Sequence, residues 1–131
     1  MTDSKPLTAG PDGIVQGFAY HDGYLRGVLN SEDKTELHIR SIDGEQRIVF
    51  LHGVQALRVD GFREGNIISN LSLFAADETV LPTSVLDRLR EELELDPRRL
   101  PPNSFVFTID TSYGAQLIAV CQRAEVSDVL G

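Results

Sequence analysis

The 131-residue sequence is poor in cysteine, in long apolar runs and in positive charge. Cys121 is the single cysteine, so one chain can form neither an internal disulfide nor a zinc site of several thiolates. It lies in the apolar run LIAVCQR, which predicts a small buried side chain. No apolar run approaches the roughly 20 residues that cross a bilayer, and the opening MTDSKPLTAGPDG has no apolar signal-peptide core. These absences predict a cytosolic protein.

Positive charge is scarce, because 12 Lys and Arg stand against 20 Asp and Glu, giving a formal net charge of −8. Nucleic acids and anionic membranes are polyanions, so this charge opposes general binding to either. It permits a basic protein partner, since complementary charge accelerates association. We therefore expect a protein partner, either another protein or a second copy in a homodimer, and neither nucleic acid nor membrane.

The familiar catalytic and nucleotide-binding motifs are also missing. The sequence contains no G-x-S-x-G and no G-x-x-x-x-G-K-[ST]. Gly10, Gly13 and Gly17 do not fit the dinucleotide pattern that precedes a helix. The sequence favours a non-catalytic protein, and we expect no cofactor and no metal.

The sequence does contain many short β-rich runs separated by Gly, Asp and Asn. In TELHIRS, Leu37 and Ile39 alternate with polar residues, which is typical of a strand with one buried face. The Asp-Gly pair at 43–44 supplies the backbone angles of a tight turn. The pattern predicts a hairpin of residues 35–41 with 46–52.

One segment has helical periodicity instead. Three leucines recur at helical spacing in VLDRLREELELDP, and Pro97 ends the pattern, because the residue before a proline avoids the helical region. We predict one helix near residues 84–95. The later strand AQLIAVCQR is apolar on both faces between Leu117 and Cys121, which is typical of a strand in the middle of a sheet or between a sheet and a helix.

Together these elements predict a mainly β fold of the α+β class. Short links in the first half favour antiparallel pairing. We expect a curved antiparallel sheet, as a partial barrel or a two-layer sandwich, with the helix packed on it. Residues 1–13 are predicted to be a flexible N-terminal arm, 14–123 a single β-rich domain and 124–131 a frayed C-terminus.

The link GFREG, residues 61–65, raises the sharpest question about function. Its glycines suit a turn between strands, and Arg63 and Glu64 keep the tip soluble. Phe62 does not fit an ordinary turn as easily, because an aromatic side chain there either folds back onto the sheet or forms an exposed contact. Aromatic residues and arginine are favoured anchors at protein interfaces.

Two tyrosines near other turns complete the set of candidate contacts. The candidate partner-binding residues are Tyr24, Phe62, Arg63, Glu64 and Tyr113. A protein-binding module that acts through an acidic surface or a sheet edge is the leading hypothesis. A self-associating structural protein is an alternative, in which a second copy completes the sheet beside the two-sided apolar strand at 115–121.

The histidines suggest a third hypothesis. His21 and Asp22 at the turn HDG are candidates for a small-molecule-binding or hydrolytic barrel, which requires them to converge in a cavity. His38 and His52 lie on neighbouring predicted strands, several positions apart. That offset is unsuitable for a shared metal ion.

The stretches HDGYLRGVL and LHGVQALRVDGFREGNIISNLSLF carry a resemblance to known families. Over residues 18–74 the chain resembles small uncharacterised β-rich bacterial domains. It is also similar to the β-rich immunity proteins of bacterial toxin systems. The resemblance implies a bacterial β-sheet protein, and one specific form of the leading hypothesis is an immunity-type inhibitor of a basic toxin.

Overall fold

The computed structural model describes residues 3–130 of the chain. Its elements, in chain order, are β1 (Ser4–Pro6), β2 (Thr8–Ala9), β3 (Val15–Gln16), β4 (Tyr24–Asn30), β5 (Lys34–Arg40), β6 (Gln46–His52), β7 (Ala56–Asp60), β8 (Asn66–Ala75), α1 (Thr83–Glu92), a 3₁₀ turn (Pro97–Arg99), β9 (Phe105–Tyr113), β10 (Gln116–Cys121) and β11 (Arg123–Ser127). In this described part of the chain no helix is long and apolar enough to span a membrane.

Nine strands form one antiparallel sheet in the order β1-β11-β6-β5-β4-β8-β9-β10-β7. The strands β1 and β7 are its two edges, so the sheet is not closed into a barrel. The strands β2 and β3 form a separate two-stranded sheet. The predicted fold class, mainly β with a large antiparallel sheet and one helix packed near it, is confirmed.

The main core lies on the inner face of the sheet. Leu37 of β5 and Val49 of β6 belong to this buried cluster. Phe107 of β9 and Leu117 of β10 belong to it as well. Because strands from both halves of the sheet contribute to one cluster, the sheet curves until its halves face each other.

A second, smaller core lies under the helix. Val85 and Leu89 of α1 pack in one cluster with Val106 of β9 and Ile118 of β10. These two strands are therefore buried on both faces, against the main core on one side and α1 on the other. The prediction for the two-sided apolar strand is confirmed.

The predicted central hairpin is also confirmed. Strands β5 and β6 pair along their whole length, with Leu37 opposite Val49 and His38 opposite Ile48. Gly44, in the turn, has a φ of 90°. That left-handed conformation favours glycine and explains the Asp-Gly pair in the sequence.

The helix is shorter than the predicted range 84–95. It ends at residue 92 because Glu94 adopts a left-handed φ of 56° and the amide of Leu95 donates a hydrogen bond to the Leu89 carbonyl at 3.0 Å. This is a left-handed helix termination. Pro97, expected to end the helix, instead begins the 3₁₀ turn.

Both ends of the chain differ from the prediction. The segment 124–131, expected to fray, contains most of β11, which lies between β1 and β6 with Val126 buried. The segment 1–13, expected to be a flexible arm, contains β1 and β2, and Leu7 between them is buried. The two ends pair with each other, a non-local arrangement that neither segment's own pattern indicates. Residues 1, 2 and 131 lie outside the described residues.

Candidate functional site

The link at residues 61–65 is not a hairpin turn. It joins β7 to β8, and the strands β9 and β10 lie between these two in the sheet. The link therefore passes the end of the β9–β10 pair. A β-carbon placed on Gly61 would lie 3.4 Å from the backbone oxygen of Gly114, which shows how closely the two segments approach.

The buried amide of Asn66 holds the link in this position. Its Oδ1 accepts hydrogen bonds from the backbone amides of Arg63 at 2.8 Å and Ala115 at 2.9 Å. Its Nδ2 donates to the backbone oxygens of Leu25 at 3.1 Å and Arg63 at 2.6 Å. The Asn66 side chain is fully buried, and its donors and acceptor all have partners. Such an arrangement strongly favours one backbone conformation. Asn66 thus fixes the link relative to β4 and to the chain after β9.

Gly114 makes room for this amide. It has a φ of 101°, and a β-carbon there would collide with the Asn66 side chain. The strand β9 continues up to this position, because Tyr113 still pairs with Ile67 of β8.

An open groove lies beside the link. Residues 24–26, 40–42 and 62–65 enclose a volume of about 840 Å³, and we call this feature the arginine groove. Its size falls within the range of about 300–1,000 Å³ that is usual for ligand sites. The segments that form it come from β4, from the turn after β5 and from the link.

The arginine groove brings together most of the residues that the sequence singled out. Tyr24, Phe62, Arg63 and Glu64 line it. Tyr113 is adjacent, because the Arg63 guanidinium lies over its ring at 5.6 Å from the centroid. The sequence offered no way to place these five residues side by side, since they lie on three separate elements.

Exposed apolar side chains lie along the arginine groove. The side chain of Phe62 is 48% exposed, so its ring is not folded into the core. Tyr24 is 37% exposed and Ile42 is 68% exposed. Sequence reasoning missed Ile42, although an isoleucine directly before the Asp-Gly turn was a visible signal.

Three guanidinium groups line the same groove, from Arg26, Arg40 and Arg63. Among the described residues, none of the three has a carboxylate oxygen within 4.0 Å. The carboxylate that lines the groove with them is that of Glu64. The groove is therefore locally cationic on an acidic protein. Sequence reasoning missed Arg26 and Arg40 as site residues, although alternation in β5 placed Arg40 on the polar face.

A second, smaller depression lies beside the groove on the outer face of the sheet. Its volume is about 320 Å³, and its lining includes His38 and Gln46. Arg26 and Arg40 line both depressions, so the two are adjacent. His38 lies at the far end, with its Nε2 3.2 Å from the Glu36 carboxylate.

His21 and Asp22 lie apart from this groove, at the turn before β4. Their side chains are 71% and 63% exposed, and His21 Nδ1 lies 2.8 Å from the backbone oxygen of Ser69. The sheet does not close into the barrel that the ligand-site hypothesis required. Across residues 3–130, no group of three or more His, Cys, Asp or Glu side chains is arranged to hold a metal ion.

The other two histidines are separated along the central hairpin, as the sequence predicted. His38 pairs with Ile48, whereas His52 pairs with Lys34 near the opposite end of β5. His52 Nε2 lies 2.6 Å from the Glu125 carboxylate of β11. The imidazole of His52 therefore belongs to the packing of β6 on β11.

Cys121 is buried in the main core, as predicted. Burial raises the pKa of its thiol to about 11. The thiolate is the reactive form of cysteine, so at neutral pH this side chain remains a protonated core residue.

The arginine groove combines exposed apolar surface with three guanidinium groups. Such a surface can bind an elongated ligand that carries both apolar and anionic groups. No family model, curated protein or solved structure matches the chain. The function is therefore argued from the groove.

Proposed function

We propose that the protein is a non-catalytic, cytoplasmic protein-binding module that uses the arginine groove as its contact surface. The observation that carries the proposal is the convergence of Tyr24, Phe62, Arg63 and Glu64 on one groove, with Tyr113 beside Arg63. Tyrosine and arginine are among the residues that dominate interface energetics, and aromatic side chains are enriched at interfaces.

The fixed conformation of the link also supports this proposal. Its hydrogen bonds to Asn66 are present in the free protein, so the backbone that carries Phe62 is ordered before a partner arrives. Ordering a loop during association costs free energy, and a preformed loop avoids much of this cost. The half-exposed ring of Phe62 is then available for burial in an interface.

An immunity-type inhibitor of a basic toxin is one specific form of this function. The net charge of −8 supports it, because long-range attraction accelerates encounter with a basic partner. The predicted signature is an association rate that falls as salt is added. The groove itself is locally positive, in contrast to the net negative charge of the chain. A basic partner is therefore expected to place its neutral or acidic residues there.

Affinity capture from a native cell lysate tests the proposed function. The wild-type protein is compared with a Phe62→Ala, Arg63→Ala variant. A matched control is Val80→Ala, Arg98→Ala, because Val80 is 61% exposed and both residues lie outside the groove. A stoichiometric partner retained by the control and lost by the groove variant supports the proposal. Equal retention by both variants, or capture of no partner, contradicts it.

A homodimer is the other form that the partner can take. The route expected from the sequence, through the strand at 115–121, is wrong because β10 is paired on both sides, with β9 and β7. The free edges β1 and β7 and the groove remain as contact surfaces. Light scattering across a dilution series separates a dimer from a persistent monomer.

A further inference from the structure

We infer that the arginine groove binds an acidic peptide segment of a partner protein, with carboxylate side chains placed around an apolar residue. This inference rests on the proposed function and specifies the chemistry of the partner. It concerns the local sign of the binding surface, which is opposite to the net charge of the protein.

The distribution of ion pairs among the arginines carries the inference. Six of the ten arginines lie within 4.0 Å of a carboxylate, namely Arg58, Arg88, Arg90, Arg98, Arg99 and Arg123. Of the four without such a partner among the described residues, Arg47 donates to the Ser127 backbone oxygen. The remaining three are Arg26, Arg40 and Arg63, and all line the groove.

This clustering is informative because the chain has a large excess of carboxylates. On such a chain, most arginines are expected to have an Asp or Glu nearby, and six of the ten arginines do. The three groove arginines retain free donors instead. A guanidinium group binds a carboxylate through two parallel hydrogen bonds, which makes an unpaired cluster a suitable receptor for acidic side chains.

The shape of the surface favours an extended peptide. Arg26 and Arg40 line both the groove and the smaller depression beside it, so their guanidinium groups serve an elongated surface that extends from Phe62 toward His38. Tyr24 lies directly opposite Arg40 in the β4–β5 pair, which puts an aromatic and a cationic side chain on the same face of the sheet. A peptide that alternates apolar and acidic side chains fits this alternation along the groove.

Other anionic partners fit less well. A nucleic acid or an anionic membrane extends far beyond the groove and meets the net negative charge of the surrounding surface. A short peptide with a few carboxylates interacts mainly with the local cluster, because charges beyond about 8 Å are screened at physiological salt. A basic peptide would be repelled by all three guanidinium groups.

Selection from a random-peptide phage library against the full chain tests the inference without a choice of sequence in advance. We expect enrichment of Asp and Glu around an apolar residue. A synthetic peptide with the enriched sequence is then compared with its Asn and Gln counterpart by fluorescence anisotropy. Loss of the charges is expected to weaken binding about ten-fold or more. Enrichment of basic or uncharged peptides, or no enrichment, would overturn the inference.

Charge variants locate the peptide on the protein. Arg26→Gln with Arg40→Gln is expected to weaken binding of the enriched peptide about ten-fold or more. Arg98→Gln with Arg99→Gln is the matched control, because it removes the same charge outside the groove and should leave the affinity unchanged. Equal affinity for both double variants would contradict the inference. Circular dichroism of each variant establishes that the fold is retained.

The two proposals fail in distinguishable ways. If Phe62→Ala, Arg63→Ala abolishes capture of a partner but Arg26→Gln, Arg40→Gln does not, the protein-binding function stands and the acidic-peptide inference is wrong. If neither variant affects capture, both proposals are wrong. If capture recovers only the chain itself, and this contact is lost in both groove variants, the groove belongs to a homodimer and the partner protein is excluded.

Discussion

The two halves of the sheet share antiparallel pairing but differ in how many of their faces are covered. Strands β8, β9 and β10 lie between the main core and the cluster under α1. Strands β4, β5 and β6 contribute to the main core through one face, and their outer face carries the arginine groove. The doubly covered half therefore supplies much of the buried apolar surface, and the other half leaves side chains exposed on its outer face.

The difference in the number of covered faces is visible in the residue patterns of the strands. In β5 the buried Leu37 and Ile39 alternate with His38 and Arg40 on the outer face. In β10 the residues 117–121 are all buried. Strict alternation thus indicates one covered face, and a continuous apolar run indicates two. The contrast leads to three predictions about stability.

The largest effect is expected from matched truncations of an isoleucine in each half. Ile118→Ala removes a fully buried side chain under α1 and should lower the free energy of unfolding by about 2–5 kcal/mol, because it leaves a cavity. Ile42→Ala removes an exposed side chain of the groove and should change it by less than about 0.5 kcal/mol. Urea denaturation measures both. Similar losses for the two variants would contradict the division into a covered and an open half.

A smaller effect is expected at the boundary between the halves, where Asn66 lies. Asn66→Ala leaves buried backbone groups of Leu25 and Ala115, and partly buried ones of Arg63, without their Asn66 partner, so stability should fall by about 1–3 kcal/mol. The control Asn70→Ala changes an exposed asparagine of the same strand and should have little effect. Urea denaturation also measures this pair. Equal stability of the two variants would show that the Asn66 amide does not fix the link.

The smallest effect is expected at Asp96, the residue that caps the 3₁₀ turn after α1. Hydrogen bonds from the Arg98 side chain and amide hold the pKa of Asp96 below its ordinary value of 3.8. A carboxyl group whose pKa is lowered by folding stabilises the folded state above its unfolded pKa, and this contribution is lost as the pH falls through the folded pKa.

Asp96→Asn should therefore lower the melting temperature slightly at pH 7. Thermal unfolding of the wild type and the variant, followed by circular dichroism, measures this difference across a pH series. We expect the difference to shrink below pH 3.8 and to disappear once Asp96 is protonated in the folded protein. A difference that persists unchanged in acid would exclude the charge of Asp96 as its cause.

Local patterns predicted the local elements of the fold. The Asp-Gly turn and the alternation in β5 were sufficient for the hairpin with β6, and leucine spacing was sufficient for the existence of α1. The predicted end of α1 was wrong because the helix ends at a left-handed glutamate, Glu94. A glutamate does not mark a helix end in the sequence as a proline or a glycine does. Glycine is the usual residue at such a position.

Pairing between distant segments could not be predicted. The strand β11 is stabilised by pairing with β6 on one side and with β1 on the other. Its own short sequence does not indicate these partners. The candidate Phe62 was visible in the sequence because an aromatic in a glycine-bounded link is unusual. The roles of Arg26 and Arg40 were not visible, because their proximity to Phe62 depends on the path of the link past the end of the β9–β10 pair.

The hydrogen bonds of Asn66 have a consequence for protein synthesis. They join residues that are 41 and 49 positions apart in the chain, because Asn66 contacts Leu25 on one side and Ala115 on the other. A nascent chain therefore cannot complete the geometry of the link until residue 115 has emerged from the ribosome. The link that carries Phe62 is therefore completed only when three distant segments of the chain have folded together.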